Sequence, residues 1–104
     1  MVKDKSILDL IETLKSNFDN QILEIVDHWD ADLYAIGIKK GSKLMYISTF
    51  ESVVRNGDLQ YYIELELINP SDQSPIKVLK RRSGLTEMKL MKEVNAFFNY
   101  KPED

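Results

Sequence analysis

The chain of 104 residues has no cysteine, a single histidine and no long apolar run. The absence of cysteine excludes disulfides, thiol catalysis and thiolate metal sites. Because small secreted domains usually depend on disulfides, we predict a cytoplasmic protein. The longest apolar stretches are only a few residues, whereas a membrane span needs about 20. The first residues also lack the apolar segment of a signal peptide, so we expect neither a membrane span nor a leader.

Glycine and histidine are too sparse for the common catalytic motifs. The four glycines, Gly37, Gly41, Gly57 and Gly84, are scattered, and none opens a strand-to-helix phosphate loop. His28 is the only side chain whose ordinary pKa lies near neutrality. A serine could in principle pair with it and with Asp27, Asp30 or Asp32, but the sequence does not place these groups relative to one another, so it defines no triad. We therefore predict a protein that is not an enzyme and binds no cofactor. A weak hydrolase centred on His28 is the catalytic alternative.

One short segment offers metal-ligand chemistry. Asp27, His28, Asp30 and Asp32 supply oxygen and nitrogen atoms within six residues. The segment lacks the glycine-bearing twelve-residue spacing of a calcium loop and the paired histidines of a helical zinc site. We predict no metal site here. The structural interpretation is a loop between strands whose aspartates stabilise the turn.

Charge is distributed unevenly along the chain, whose net charge is −3. Residues 1–32 carry a net charge of −5 and residues 76–104 a net charge of +3. The basic cluster is Lys77, Lys80, Arg81 and Arg82. The overall acidity opposes the electrostatics of nonspecific nucleic-acid binding, so nucleic acid is not the predicted partner. The alternative is a small nucleic-acid-binding or regulatory domain that uses the Lys77 to Arg82 edge.

Hydrophobic periodicity predicts the fold class. Apolar residues at spacings of three and four predict helices near residues 4–18 and 86–100, with Asp4 or Ser6 and then Thr86 as the N-caps. Between them, alternating runs predict five strands, near residues 21–28, 33–39, 43–50, 60–68 and 76–82. We expect Ser83 and Gly84 to end the fifth strand. The whole chain, 1–104, is therefore predicted to be one two-layer α+β domain, a mostly antiparallel five-stranded sheet with two flanking helices in the order α-β-β-β-β-β-α.

The clearest alternation runs through residues 60–68. It points Tyr61, Ile63, Leu65 and Leu67 to the core and the intervening residues to solvent. The predicted partner-binding surface combines those solvent-facing residues with acidic and aromatic side chains earlier in the chain. Its members are Glu24, Asp27, Trp29, Asp30, Asp32, Tyr34, Tyr62, Glu64 and Glu66. Aromatic residues are enriched at binding hot spots, and carboxylates complement a basic surface. The alternative is that Trp29 and one tyrosine are core residues and the carboxylates only aid solubility.

Three segments carry a resemblance to a known group of proteins. The stretch from Glu24 to Lys40, the run from Lys43 to Phe50 and the run from Tyr61 to Leu67 resemble small bacterial immunity proteins. Such proteins accompany contact-dependent growth inhibition and other polymorphic toxin systems. The resemblance spans about residues 7–98. It lies in the size of the chain, the order of its helices and strands and the general character of the sequence, and not in a catalytic motif. It implies a cytoplasmic, non-enzymatic protein that binds the toxin domain of a cognate effector, commonly a nuclease, and blocks its active site or substrate access. Because a nuclease presents lysine and arginine to phosphate, we expect that domain to be basic. These proteins diverge at the toxin-binding face, so the binding residues named above come from charge and expected exposure alone.

Overall fold

The computed structural model describes residues 3–18, 23–27, 31–55 and 57–99. Its helices and strands, in chain order, are α1 (Lys5–Asn17), β1 (Glu24–Val26), β2 (Ala35–Lys40), β3 (Lys43–Ser48), α2 (Phe50–Val54), β4 (Tyr61–Ile68), β5 (Pro75–Leu85) and α3 (Glu87–Asn99). The predicted two-layer α+β class is confirmed: five antiparallel strands form one sheet, with α1 first and α3 last. The short α2 is an additional element that periodicity did not predict.

The sheet is a simple meander with the strand order β1-β2-β3-β4-β5, and each strand pairs antiparallel with the next. Between β2 and β3 a tight turn pairs Lys40 with Lys43. Gly41 in this turn has a φ of 61°, a left-handed conformation that glycine adopts without steric cost. The turn therefore fixes the register that runs along both strands.

The core lies between one face of the sheet and the two long helices. The apolar stripes of α1 and α3 join the same buried cluster as the sheet residues beneath them, so both helices cover the same face. Helix residues in this cluster are Ile7, Leu10, Ile11, Leu14, Leu90, Val94 and Phe98, and sheet residues include Ile36, Ile38, Met45, Ile47 and Ile63. Each fully buried aliphatic side chain contributes about 1.5–3 kcal/mol through removal of its surface from water.

Both predicted N-caps are present. The Asp4 carboxylate accepts a hydrogen bond of 3.0 Å from the Ser6 amide and one of 2.6 Å from the Ser6 hydroxyl. These two bonds lower the pKa of Asp4 below its ordinary value. Thr86 Oγ1 accepts a bond of 3.3 Å from the Lys89 amide at the start of α3. Each cap satisfies backbone donors that the first helical turn leaves without an intrahelical partner.

The C-terminal end of α3 is held by the β2–β3 turn. Lys43 Nζ donates to the carbonyl oxygen of Phe97 at 2.8 Å, and Lys40 Nζ donates to that of Phe98 at 3.3 Å. Lys43 Nζ also lies 5.4 Å from the centroid of the Phe97 ring. The last carbonyls of a helix carry a partial negative charge, so the two cations stabilise this end.

Some predicted strand bounds were wrong. Phe50, predicted to end the third strand, instead begins α2, and β3 ends at Ser48. Ser83 and Gly84 lie inside β5, which continues to Leu85. Register shifts along the β4–β5 pair explain the weak alternation of β5, since each extra residue breaks the period of two. The first predicted strand, residues 21–28, is shorter than predicted: β1 covers Glu24–Val26, and Leu23 and Asp27 lie outside it. Positions 21, 22 and 28 lie outside the described residues.

Candidate protein-binding face

The sheet face opposite the core is built by alternation and register together. We call its central part the open face; it carries Leu44, Tyr46 and Ser48 of β3 and Tyr62, Glu64 and Glu66 of β4. Successive side chains of a strand point to opposite faces, so the buried positions of β4 fix the remaining ones on the open face. The register then places Tyr46 opposite Glu64 and Ser48 opposite Tyr62. Tyr61, Ile63 and Leu65 are buried as predicted, whereas Tyr62, Glu64 and Glu66, predicted to face solvent, are half-buried. Leu67, predicted to face the core, is half-buried as well, next to a register shift between Leu67 and Ile68.

A groove of about 690 Å³ opens at one end of this face. This aromatic groove is lined by Ala31, Asp32, Leu33, Tyr34, Tyr46, Ser48, Phe50, Glu51 and Tyr62. The rings of Tyr34 and Phe50 meet edge to face, with centroids 5.7 Å apart. Phe50 is 51% exposed and Leu33 is 41% exposed, so apolar surface remains accessible at the groove. Exposed aromatic surface beside polar groups is typical of a protein-binding site.

A second groove of about 460 Å³ lies further along the same face. This acidic groove is lined by Leu44, Tyr46, Tyr62, Glu64, Glu66, Ile68, Gln73 and Pro75. Tyr46 and Tyr62 line both grooves, and their rings meet edge to face at a centroid distance of 6.2 Å. The tyrosine pair therefore forms the shared wall between the aromatic groove and the acidic groove.

The two carboxylates of the acidic groove, Glu64 and Glu66, differ in the groups that surround them. Glu64 Oε2 accepts a hydrogen bond of 2.6 Å from the Tyr62 hydroxyl, and Glu64 Oε1 lies 3.8 Å from Arg81 Nε. Burial raises the pKa of Glu66, the charge of Glu64 raises it further, and Arg81 partly offsets both effects. Within the described part of the chain, no lysine or arginine lies within 4.0 Å of the Glu66 carboxylate. Glu66 is thus the carboxylate of this groove that a cation from outside could pair with.

Charge of one sign dominates both grooves. Among the described residues that line them, four are acidic, Asp32, Glu51, Glu64 and Glu66, and none is lysine or arginine. Burial raises the pKa of Tyr46, with Asp32 and Glu64 adding to the rise, so its hydroxyl stays protonated at neutral pH. The open face therefore combines neutral aromatic surface with negative charge.

The segment that carries Asp32 and Tyr34 is anchored by a buried lysine. The Lys3 side chain is fully buried, and its ammonium donates to Asp27 Oδ1 at 2.8 Å and to the Asp32 carbonyl at 2.7 Å. Asp32 Oδ1 in turn accepts a bond of 2.9 Å from the Tyr34 amide. The Tyr34 carbonyl accepts a bond of 2.9 Å from the Thr49 amide, next to α2. This chain of contacts positions one wall of the aromatic groove.

The structure brings together part of the predicted surface. Asp32, Tyr34, Tyr62, Glu64 and Glu66 line the two grooves. Trp29 and Asp30 lie outside the described residues. Two other predicted residues have a partner within the fold. Glu24 lies on the edge strand β1, with its carboxylate 3.7 Å from Lys39 Nζ, and Asp27 pairs with the buried Lys3.

Sequence reasoning missed several groove residues. Tyr46, Phe50 and Leu33 line the aromatic groove and were not predicted as binding residues. The alternation of Leu44, Tyr46 and Ser48 along β3 was a signal for Tyr46. This signal identifies Tyr46 as a groove residue only when the β3–β4 register is known, because the register brings Tyr46 close to Tyr62. Phe50 carried no such signal, because it was assigned to a strand and not to the start of α2.

The basic cluster of β5 is divided between the two sides of the sheet. Lys80 and Arg82 both contact Glu93 of α3, with Lys80 Nζ at 3.6 Å from Glu93 Oε1. Arg81 points to the other side and approaches Glu64. Lys77 lies opposite Leu67, on the side of Lys80 and Arg82, so the cluster is divided three to one between the two sides of the sheet.

The described residues were searched for groups of metal ligands and for membrane-spanning helices. Within residues 3–18, 23–27, 31–55 and 57–99, no group of three or more metal-ligating side chains lies close enough to hold an ion. His28 and Asp30, two of the four candidate ligands considered above, lie outside those ranges. None of the helices described here is long and apolar enough to cross a membrane.

Comparison of the chain with protein-family models, with curated proteins and with solved structures finds no match. What the open face binds is therefore inferred from its own residues.

Proposed function

We propose that this protein is a cytoplasmic immunity protein that has no catalytic activity. It binds the toxin domain of a cognate effector, a basic nuclease domain, and blocks its active site or substrate-binding surface. The observation that supports this most strongly is the open face, where an exposed aromatic groove adjoins a groove with two carboxylates.

The mechanism is occlusion driven by charge and held by aromatic contacts. A nuclease presents lysine and arginine to the phosphates of its substrate. An acidic face attracts such a surface over a distance of about a Debye length, roughly 8 Å at physiological salt, and so increases the association rate. Affinity then comes from a few desolvated anchors, for which the aromatic groove offers the exposed Phe50 ring and the half-buried Tyr34 ring beside it.

The proposal is tested by affinity capture from the source organism. The chain is used beside a Glu64→Gln/Glu66→Gln variant and a matched Glu12→Gln/Glu87→Gln control, whose changes lie at exposed positions of α1 and α3. Captured proteins are identified by mass spectrometry at low and moderate salt, and captured nucleic acid is assayed in parallel. We expect the chain and the control to retain the carboxy-terminal domain of a large secreted effector, and the open-face variant to retain less.

The captured domain is then expressed in a bacterium alone and together with the chain. We expect arrest of growth in the first case and growth in the second, with nuclease activity inhibited at equimolar chain in vitro. A captured domain that the chain does not inhibit contradicts the proposal. Capture of nucleic acid alone, abolished by Lys80→Ala/Arg81→Ala/Arg82→Ala, favours the alternative of a nucleic-acid-binding domain.

A further inference from the structure

The two grooves form one continuous binding surface with two chemically different ends. Because Tyr46 and Tyr62 line both grooves, a partner segment that occupies both must pass over this tyrosine pair. From the tyrosine pair to the carboxylate end of the surface, Tyr62 and Glu66 are four residues apart on β4, or about 14 Å at 3.4 Å per residue. The aromatic groove lies on the other side of that pair. A single extended segment can span that length.

The acidic groove fits the shape and charge of an arginine side chain. Glu66 offers two carboxylate oxygens with no cation among the described residues within 4.0 Å, and a guanidinium can bind both at once. Pro75 is exposed and can contact the aliphatic part of the side chain, while Leu44 and Ile68, both buried, complete the lining. The tyrosine rings at the wall can stack on a planar cation, which a lysine ammonium cannot exploit as well.

The aromatic groove has the complementary chemistry. Its exposed members include Leu33 and Phe50, and the neighbouring Tyr34 ring packs on Phe50. An apolar side chain from a partner would remove this surface from water, with a gain of about 25 cal/mol per Å² of apolar area. Of the two carboxylates that line this groove, Asp32 accepts a bond from the Tyr34 amide and Glu51 lies 3.1 Å from Arg55 Nε, so an apolar side chain fits better here than a cation.

We propose that the open face binds a partner segment that inserts an arginine side chain against Glu66 and an apolar side chain against Phe50, with the tyrosine pair between them. The inference rests on the proposed function for the nature of the partner, a cationic protein domain. It adds the specific side chains that this domain must present.

The raised pKa of Glu66 allows a second test of the inference, through the stability of the protein. Burial and Glu64 disfavour its charged form in the free protein, and Arg81 on β5 only partly offsets this. Lys39 of β2 lies beyond Leu44 in the register, with its Nζ 3.7 Å from a carboxylate oxygen of Glu24. A bound arginine stabilises the charged Glu66. The Glu66→Gln variant should therefore be more stable than the native chain at neutral pH and yet bind the arginine probe more weakly.

The test uses a peptide probe and does not need the toxin. The full chain, labelled with ¹⁵N, is titrated at low salt with acetyl-Phe-Ser-Gly-Ser-Arg-amide, with the same peptide carrying citrulline in place of arginine, and with a third carrying Ala in place of Phe. We expect amide shifts to cluster at Tyr34, Phe50, Tyr46, Tyr62 and Glu66. Citrulline is neutral and of nearly the same shape, so it should weaken binding by about fivefold or more. The Ala peptide should lose the shifts at Phe50 and keep those at Glu66.

Two variants provide the controls. Glu66→Gln should reduce binding of the arginine peptide to the level of the citrulline peptide, whereas Glu12→Gln should leave it unchanged. Equal binding of the arginine and citrulline peptides overturns the inference, as do shifts that map to the helical layer. Absence of shifts at about 10 mM peptide, well above the Kd expected for a ligand of this size, overturns it as well.

The outcome is independent of the capture experiment. If an effector domain is captured and inhibited but the peptide does not bind the open face, the inference fails and the proposed function stands. If the peptide binds as expected but no toxin domain is captured, the open face is still an arginine-binding surface and the proposed function fails.

Discussion

The Tyr62 hydroxyl donates a hydrogen bond of 2.6 Å to Oε2 of Glu64, two residues further along β4. The bond raises the pKa of Tyr62, because an ionised tyrosine beside a carboxylate would lose the donor and face a like charge. It also leaves Glu64 with one oxygen engaged and the other oriented toward Arg81. The contact therefore joins the wall of the aromatic groove to the carboxylates of the acidic groove.

Replacement of Tyr62 by phenylalanine tests this contact. Tyr62→Phe keeps the ring but removes the donor, so we expect a loss of about 0.5–1 kcal/mol in the free energy of unfolding, measured by urea denaturation. Independently, Glu64→Gln should shift the pKa of Tyr62 back toward its ordinary value in an ultraviolet absorbance titration. Glu12→Gln is the control for this titration. An unchanged Tyr62 pKa in Glu64→Gln would show that the bond does not form in solution.

The stability of the Glu66→Gln variant should depend on pH in a defined direction. The pKa of Glu66 is raised in the folded state, so the folded protein binds more protons than the unfolded chain in the range above the ordinary glutamate pKa of about 4.3. The stabilising contribution of Glu66 is thus present below that pKa and is lost as pH rises through the folded pKa. Glu66→Gln removes this loss.

We therefore expect Glu66→Gln to be more stable than the native chain at pH 7, with the advantage decreasing to zero as the pH falls below about 4. Urea unfolding at a series of pH values measures this difference. Glu12→Gln on α1 should show no such trend, because Glu12 is exposed. A constant stability difference between Glu66→Gln and the native chain at all pH values would contradict the raised pKa.

Lys3 should be required for the stability of the segment that leads to the aromatic groove. Lys3→Met removes the bonds to the Asp27 carboxylate and the Asp32 carbonyl, and we expect a loss of about 2 kcal/mol in the free energy of unfolding. The Tyr34 amide should also exchange faster with solvent. Lys5→Met is the matched control, since the exposed Lys5–Asp9 pair should contribute nothing measurable. Equal effects of the two substitutions would argue against a structural role for Lys3.

Lys43 should stabilise the end of α3. Lys43→Met removes the cation that bonds to the Phe97 carbonyl and lies over the Phe97 ring, so we expect a loss of about 1 kcal/mol on urea unfolding. Hydrogen exchange should increase in the last turn of α3 more than in its first turn. Lys92→Met on the exposed side of α3 serves as the comparison, and we expect little change from it.

Charge reversal on the open face should slow association with the captured toxin domain. For Glu64→Lys/Glu66→Lys we expect a fall in association rate of about tenfold or more and a weaker dependence on salt. The control Glu12→Lys/Glu87→Lys has the same net charge but alters the helical layer. If both variants slow association equally, net charge alone controls the rate and the open face is not the site of contact.

Much of this fold follows from local sequence patterns. The stripe that includes Ile7, Leu10 and Leu14 predicts α1, because a period of 3.6 residues places those side chains on one side of a helix. The alternation in β4 places Tyr62 and Glu66 on one face, since a strand repeats every two residues. Those features depend only on neighbours in the chain, so they can be read without the tertiary structure.

The candidate site depends on contacts between distant segments. Tyr46 meets Tyr62 only because the β3–β4 register aligns them, and Asp27 pairs with Lys3 across 24 positions. The bulges of β5 and the start of α2 at Phe50 likewise escape a search for periodicity. The sequence by itself therefore determined α1, α3, the five strands apart from some of their ends, and the alternation of residues 61–66 in β4. Only the tertiary structure decided which aromatic and acidic side chains meet, because strand register and helix placement are set by packing of the whole chain.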